Sequence, residues 1–135
     1  MGFCYRYVNI ERNGVGVSHY ALIDSGSELS TVSEEIASKL NLQMMESINI
    51  RGTRGSARGW RSKEVQVSLS GGVVKLNTSL IVASKMVTGE EVIIGRDILE
   101  SIGQDALIAL RLTCDSCKKS ITQCRCTKRQ VRKIG

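Results

Sequence analysis

The chain of 135 residues contains no proline and few aromatic residues: one phenylalanine, one tryptophan and three tyrosines. Average usage would give about seven prolines, and the composition offers no physical reason for their absence. With so few aromatic side chains, a buried core has to be built from valine, isoleucine and leucine. No apolar run approaches the roughly 18 residues that a membrane-spanning helix needs, so we expect no membrane association.

Hydrophobic residues make up 41% of the chain and charged residues 24%, which is typical of a globular domain and not of a disordered tract. The segment Met1–Tyr7 lacks the basic and then apolar pattern of a secretory signal peptide. We therefore expect a cytoplasmic protein, unless the sequence is an internal piece of a longer precursor.

The net charge of +6 is unevenly distributed along the chain. Residues 1–110 hold 11 Lys/Arg and 12 Asp/Glu, a net of −1, whereas residues 111–135 hold 8 Lys/Arg and one Asp, a net of +7. This contrast divides the chain into a body, 1–110, and a basic, cysteine-rich tail, 111–135. A second basic excess lies in 51–63, where it either attracts phosphates or acidic peptides or is simply a solvated surface.

The pattern of apolar residues and turn signals predicts a mainly β structure with two short helices. Asn13-Gly14 marks a tight turn between two strands, because both residues tolerate positive φ. Ser33 or Thr31 is suited to cap a short helix, and Arg96–Ile102 is predicted to form the second one, ending at Gly103. The remaining strands are expected at Ile48–Ile50, Val65–Leu69, Val73–Val82, Val92–Ile94 and Ala106–Leu112.

Three features carry the chemical signal. An apolar strand, Ala21–Ile23, runs directly into Asp24-Ser25-Gly26. A segment with several glycines, Arg51–Trp60, lies between two predicted strands. Further along, the stretch Ile93-Ile94-Gly95-Arg96-Asp97-Ile98-Leu99 turns from a strand through a glycine into a helix.

In this order and spacing the features resemble the retropepsins, the aspartic proteases of retroviruses, retrotransposons and pararetroviruses. That family has a D-[ST]-G motif after an apolar strand, then a glycine-rich flap hairpin, then I-[IL]-G-R-[ND]-[IL]-L before a short helix. The resemblance covers Tyr5–Ile108. It implies a closed, mainly β fold with a flap hairpin and one or two short helices, which forms one half of a symmetric homodimer.

The resemblance also implies roles for individual residues. Asp24 is the catalytic aspartate and faces Asp24 of the second subunit, which fits the presence of a single D-[ST]-G in the sequence. Ser25 fixes the dyad by hydrogen bonding, and Gly26 permits the tight turn and leaves its carbonyl for the substrate backbone. Glu28 and Arg96 are expected to pair as a structural brace, the alternative being two independent surface charges. No cofactor is expected for catalysis.

The glycine-rich segment corresponds to the flap that closes over a polypeptide substrate. Glycine absorbs the backbone changes of closure at low steric cost. The arginines of this segment favour acidic substrates if they point inward, and only keep the flap soluble if they point outward. The expected flap residues are Gly52, Thr53, Arg54, Gly55, Ser56, Ala57, Arg58 and Gly59.

Four of the five cysteines cluster in the tail, in the order Cys114-x2-Cys117-x6-Cys124-x-Cys126. Four thiolates so close in sequence are able to form a tetrahedral structural zinc site. Thiols without metal and disulfides are the alternatives. Cys4 stands apart and is expected to be a buried or half-buried thiol, and His19 is expected at the surface.

The sequence thus favours a homodimeric aspartic endopeptidase that cleaves a polyprotein, located in the cytoplasm or within a viral or virus-like particle. A retropepsin-like module that dimerises or captures peptides without turnover is one alternative. Nucleic-acid binding by the basic tail is another, and it is compatible with the first function.

Overall fold

The computed structural model describes residues 3–52, 55–86, 89–103, 106–107, 112, 114 and 116–119. Within these ranges the chain forms nine strands and two α-helices. In chain order they are β1 (Phe3–Arg12), β2 (Val15–Asp24), β3 (Thr31–Ser33), α1 (Glu34–Lys39), β4 (Met44–Gly52), β5 (Gly55–Ser62), β6 (Val65–Leu69), β7 (Val74–Thr78), β8 (Ile81–Ala83), β9 (Val92–Ile94) and α2 (Arg96–Ile102). The mainly β prediction is confirmed.

The first hairpin forms where the turn signal predicts it. β1 and β2 pair in antiparallel register from Phe3↔Asp24 to Arg12↔Val15. Asn13 and Gly14 connect them with φ of 50° and 81°, a left-handed conformation that asparagine and glycine accept at little steric cost. The hairpin then extends through β6, which pairs with β1, and β7, which pairs with β6.

The centre of the sheet determines where the functional site lies. The strand order is β4-β5-β8-β3-β9-β2-β1-β6-β7. β2 and β9 are parallel neighbours, with Leu22 opposite Ile93 and Ile23 opposite Ile94. Parallel strands end at the same edge of a sheet, so the Asp24 turn that follows β2 lies beside the Gly95 turn that follows β9.

Both short helices follow from local sequence. Ser33 caps α1, and its hydroxyl oxygen accepts a hydrogen bond from the Ile36 amide at 3.2 Å. Ile36 and Ala37 are buried beneath this helix, whereas its acidic first turn faces solvent. α2 buries Ile98 and Leu99 and ends at Gly103, whose φ is 91°. Of the two predicted cap residues, Ser33 and Thr31, it is Ser33 that caps α1, and the predicted end of the second helix at Gly103 is confirmed.

The core is aliphatic, as the shortage of aromatic residues requires. β2 is exposed in its first half and buried continuously over its last four residues, from Ala21 to Asp24, so both faces of the strand are covered there. Cys4 is completely buried in the same core. The principal buried side chains are Ile10, Leu22, Ile23, Ile36, Leu40, Leu69, Leu80, Ile81, Ile94, Ile98 and Leu99.

One strand prediction is wrong, and a second is wrong at its start. The expected strand Val73–Val82 is two strands, β7 and β8, which lie in different parts of the sheet. The expected strand Ala106–Leu112 is helical at residues 106 and 107, where the Leu107 amide donates to the Gly103 carbonyl at 3.1 Å. Residues 108–111 lie outside the described residues, so the division between body and tail at this point stays a prediction. Within the described ranges, no helix is long and apolar enough to cross a bilayer.

Candidate active site

Asp24 is a buried carboxylate at the end of a central strand. Its side chain and backbone are only 2% exposed, and it is the one buried acidic residue in the described part of the chain. Its Oδ1 accepts a hydrogen bond from the Gly26 amide at 2.9 Å, and its carbonyl accepts from the Ser27 amide at 3.1 Å. A carboxylate is costly to bury without hydrogen bonds, so this turn both stabilises the group and fixes its direction.

Ser25 and Gly26 complete the turn. Ser25 is 6% exposed, whereas Gly26 lies at the surface. The three residues of the predicted catalytic motif therefore lie on one tight turn, and the Gly26 amide of that turn binds the Asp24 carboxylate.

The loop after this turn is attached to the β9–α2 turn by backbone hydrogen bonds. The Arg96 amide donates to the Ser27 carbonyl at 2.8 Å, and the Asp97 amide donates to the Glu28 carbonyl at 3.2 Å. Gly95 makes this approach possible, because a Cβ atom there would lie 2.7 Å from the Ser27 carbonyl oxygen. No side chain fits at that distance without moving the backbone of the candidate site.

Ser30 and Asp97 form a second attachment that the sequence analysis did not identify. The Ser30 hydroxyl donates to Asp97 Oδ1 at 2.6 Å, and the Ser30 amide donates to Asp97 Oδ2 at 3.0 Å. The same hydroxyl oxygen accepts from the Gly95 amide at 2.9 Å. Ser30 is completely buried. The only signal in the sequence is an acid in the first turn of α2, and its Oδ1 also accepts a hydrogen bond from the neighbouring Ile98 amide at 2.8 Å.

Glu28 and Arg96, the expected brace, are in contact at the surface. Arg96 Nη2 lies 3.4 Å from Glu28 Oε1, with the side chains 45% and 82% exposed. Exposed ion pairs contribute at most about 1 kcal/mol to stability. The attachment between the two loops therefore rests on the backbone bonds and on Asp97, and the ion pair adds little to it.

The predicted flap is the distal part of the β4–β5 hairpin. β4 and β5 pair from Met44↔Ser62 to Gly52↔Gly55, whereas β5 is joined to β8 only over Gly59–Arg61. Thr53 and Arg54 lie outside the described residues. Arg58 is exposed, and Arg61 pairs with Glu46 at 3.1 Å. The hairpin predicted from the glycines is thus present. Its distal part extends beyond β8, the strand that pairs with its base.

Gly59 allows the hairpin base to pack closely. It is buried, and a Cβ atom there would lie 2.7 Å from Ile50 Cδ1 and 3.0 Å from the Val82 carbonyl oxygen. Trp60 follows it, half-buried and opposite Val82. This position therefore serves packing at the junction of the hairpin and the sheet.

The start of β9 lies beside a polar cluster that includes His19. His19 Nε2 lies 2.7 Å from Glu91 Oε2, and the Glu91 carbonyl accepts from the Ser33 amide at 2.9 Å. A side-chain hydrogen bond with Glu35, and then one with His19, hold the pKa of Glu91 below its ordinary value of 4.5. His19 is therefore a half-buried partner in a cluster that joins β2, β9 and α1, and not the plain surface residue expected.

Two of the four tail cysteines fall in the described part of the chain. Cys114 is buried and Cys117 is half-buried. Cys124 and Cys126 lie outside the described residues, as do the tail arginines and lysines beyond Lys119. Among the residues that the structure describes, no group of three or more histidine, cysteine or acidic side chains is arranged to hold a metal ion.

Comparison with known proteins bears on the same part of the chain. The model of the family described as "gag-polyprotein putative aspartyl protease" matches residues 8–101, more than half of the chain, and includes both Asp24 and Asp97. No curated protein matches this sequence.

Among solved structures, the fold is similar to that of EIAV protease complexed with the inhibitor HBY-793. The TM-score is 0.54 with 22% sequence identity, and the match covers 74% of this chain and 88% of that one. At this identity the likeness establishes the fold. It confirms the mainly β, retropepsin-like fold that the three sequence features indicate.

Proposed function

Since this chain belongs to the family of gag-polyprotein aspartyl proteases, we propose that it is an aspartic endopeptidase whose active form is a symmetric homodimer. The observation that carries the proposal is the position of Asp24. Asp24 is buried at the end of β2, and its carboxylate accepts a hydrogen bond from the Gly26 amide. The loop that follows its turn is hydrogen-bonded to the β9–α2 turn.

The homodimer follows from the number of carboxylates. Activation of a water by this chemistry requires two carboxylates, and the sequence contains one D-[ST]-G motif. A two-fold axis places the same residue of both chains opposite each other. Asp24 of one protomer and Asp24 of its partner then form the dyad, with Ser25 steadying the pair from each side.

The dyad acts by sharing one proton. Two carboxylates a few ångströms apart cannot both ionise at low cost, so one remains protonated. The ionised carboxylate takes a proton from a bound water, which attacks the peptide carbonyl, and the protonated one donates to the carbonyl oxygen. Cleavage therefore depends on both carboxylates together, one as the base and the other as the acid.

The substrate is an extended polypeptide. The Gly26 carbonyl accepts from the substrate backbone on one side, and the distal β4–β5 hairpin covers it from the other. Closure excludes water from the cleavage site and holds the scissile bond against the dyad. The description of the matching family names the gag polyprotein. We therefore propose a polyprotein as the natural substrate.

The test is cleavage of a mixed peptide library at several acid and neutral pH values, together with the mass of the protein in solution. Wild type and Asp24→Asn are compared with Glu28→Gln, which alters an exposed carboxylate close to the turn. We expect cleavage by a dimer, its loss in Asp24→Asn, and its retention in Glu28→Gln. A folded dimer without cleavage at any pH would contradict the proposal and favour a binding module, and cleavage that survives Asp24→Asn would exclude the dyad.

A further inference from the structure

Four of the five aromatic residues of this chain lie on one face of the β1–β2 hairpin. The antiparallel register places Phe3 opposite Asp24, and Tyr7 opposite Tyr20. Residues opposite each other in such a pair point to the same face, and every second residue along a strand returns to that face. The face of Asp24 therefore also carries an aromatic row, which consists of Phe3, Tyr5, Tyr7 and Tyr20.

The rings of the aromatic row contact one another. The ring centroids of Phe3 and Tyr5 are 6.1 Å apart in an edge-to-face arrangement. Tyr5 stacks on Tyr20 with 5.5 Å between the centroids, and Tyr7 lies 5.0 Å from Tyr20 on the other side. The Tyr5 hydroxyl donates a hydrogen bond to Glu90 Oε1 at 2.9 Å. Because aromatic pairs in these arrangements stabilise each other, the row is an ordered surface before anything binds to it.

The exposure of the row rises with distance from Asp24. Phe3 is 3% exposed, whereas Tyr20 is 50% and Tyr7 is 68% exposed. The opposite face of the hairpin packs into the hydrophobic core through residues such as Ile23, so core packing accounts for that face and not for the outer tyrosines. Contiguous exposed aromatic surface is typical of sites that bind another molecule.

The position of the row matches an extended polypeptide that occupies the candidate active site. Tyr20 and Asp24 lie on the same strand, about 13 Å apart, and an extended substrate covers that distance in about four residues. Leu22 lies between them on the same face, so the apolar surface is continuous with the site. The surface ends at the next pair on this face, Asn9 and Ser18, which is polar.

We propose that the aromatic row is a second substrate-contact surface, which binds an apolar or aromatic side chain about four residues from the scissile bond. The inference rests on the proposed function, because the occupant is the polypeptide substrate of the Asp24 site. The ring faces of the tyrosines favour rings and aliphatic groups of the substrate. The contact lies away from the reacting atoms and is therefore equal in the ground state and the transition state, so it lowers KM and leaves kcat unchanged.

The first test compares cleavage of a mixed peptide library by the wild type and by Tyr20→Ala. Peptides of about twelve residues reach about 20 Å to each side of the dyad and so span the row. In the wild type we expect enrichment of apolar and aromatic residues about four positions from the cut. Tyr20→Ala should lose this enrichment and keep the preferences next to the cut. For the best peptide, its KM should rise about three- to tenfold with kcat unchanged.

Three further variants control this comparison. Tyr20→Phe keeps the ring and should retain the enrichment, and Tyr7→Ala truncates the most exposed ring, with the least disturbance of the fold, and should reduce it. Val15→Ala removes an exposed apolar side chain from the opposite face of β2 and should cleave as the wild type does. Equal enrichment in the wild type and both alanine variants of the row would overturn the proposal. A Tyr20→Ala chain that is monomeric where the wild type is dimeric would also overturn it, because the row would then be a contact between copies.

Binding without cleavage separates this proposal from the protease function. The same library is passed over immobilised Asp24→Asn and over the double variant Asp24→Asn, Tyr20→Ala, and the retained peptides are sequenced. We expect the first protein to retain peptides rich in aromatic and apolar residues, and the second to retain fewer of them. Retention that depends on Tyr20, without cleavage by the wild type, would contradict the protease and support the row as a peptide-binding surface. Cleavage by the wild type, with retention that does not depend on Tyr20, would support the protease and overturn the row.

Discussion

The Ser30 hydroxyl donates a 2.6 Å hydrogen bond to Asp97, although the two residues are separated by 67 positions in the sequence. With the Ser30 amide bonded to the other carboxylate oxygen, Asp97 holds the segment after the Asp24 turn against the first turn of α2. The candidate catalytic carboxylate is therefore supported by a second, non-catalytic aspartate on the neighbouring strand–helix unit.

Replacing that aspartate should destabilise the fold. Hydrogen bonds to a charged group contribute about 1.5–3 kcal/mol each, and a buried donor left unsatisfied is costly, so we expect Asp97→Ala to lower the free energy of unfolding by about 2–4 kcal/mol. Urea unfolding measures the change. The matched control is Glu100→Ala, an exposed acid on the same helix, which should change stability by less than about 0.5 kcal/mol. Equal effects in the two variants would contradict the role of Asp97.

A methyl group at Gly95 should disturb the same region by steric contact. Its Cβ would meet the backbone oxygens of Ser27 and Leu29 at 2.7 and 2.9 Å, and backbone cannot rotate away as a side chain does. We expect Gly95→Ala to cost about 1–3 kcal/mol of stability and to reduce cleavage. Thermal unfolding and a peptide assay check both effects.

The control for Gly95→Ala is Gly16→Ala on β2. Its added Cβ would lie 3.4 Å from the end of the Asn9 side chain, an ordinary contact. This variant should keep the stability and activity of the wild type. Loss of cleavage in the Gly16 variant as well would mean that the glycine effect is not specific to the site.

A shared active site predicts how mixed dimers behave. When wild type and Asp24→Asn chains are mixed in equal amounts and allowed to exchange, random pairing leaves about one quarter of the dimers with two Asp24 residues. At a fixed total concentration that keeps all chains paired, activity should fall to that fraction of the wild-type value. An active site within one chain would instead retain half of the activity, so peptide cleavage against mixing ratio distinguishes the two arrangements.

Acid should weaken the polar cluster at the start of β9. The pKa of Glu91 is lowered below 4.5 by its hydrogen bonds with Glu35 and His19, so the folded state binds a proton at this site less readily than the unfolded state. Its contribution is therefore present above about pH 4.5 and is lost as the pH falls through the lower folded-state pKa. Glu91→Gln should lower stability near neutral pH and flatten the acid part of the profile.

Urea unfolding midpoints between about pH 3 and pH 7 measure this change. Glu34→Gln, on the exposed first turn of α1, is the matched control and should follow the wild-type profile. A Glu91→Gln profile parallel to that of the wild type over the whole acid range would show that the cluster does not control acid stability.

The sequence predicted the parts of the site that depend on short stretches of chain. The Asn13-Gly14 turn, the Ser33 cap and the Asp24 turn each involve a few neighbouring residues whose φ and ψ preferences and side-chain hydrogen bonds act locally. Residues 106 and 107 of the predicted strand Ala106–Leu112 are helical, and the sequence missed this because a short apolar run has no periodicity that separates a strand from a helical segment.

The sequence by itself thus determined the strand-to-turn position of Asp24, the glycine-rich hairpin and the aliphatic composition of the core. Only the tertiary structure decided which distant groups support the site: the Ser30–Asp97 bonds, the close approach at Gly95 and the contact of His19 with Glu91. All three depend on the parallel pairing of β2 with β9. The alternation of residues within one strand shows which face is buried, but it does not show which other strand lies beside it, so this pairing was visible only in the fold.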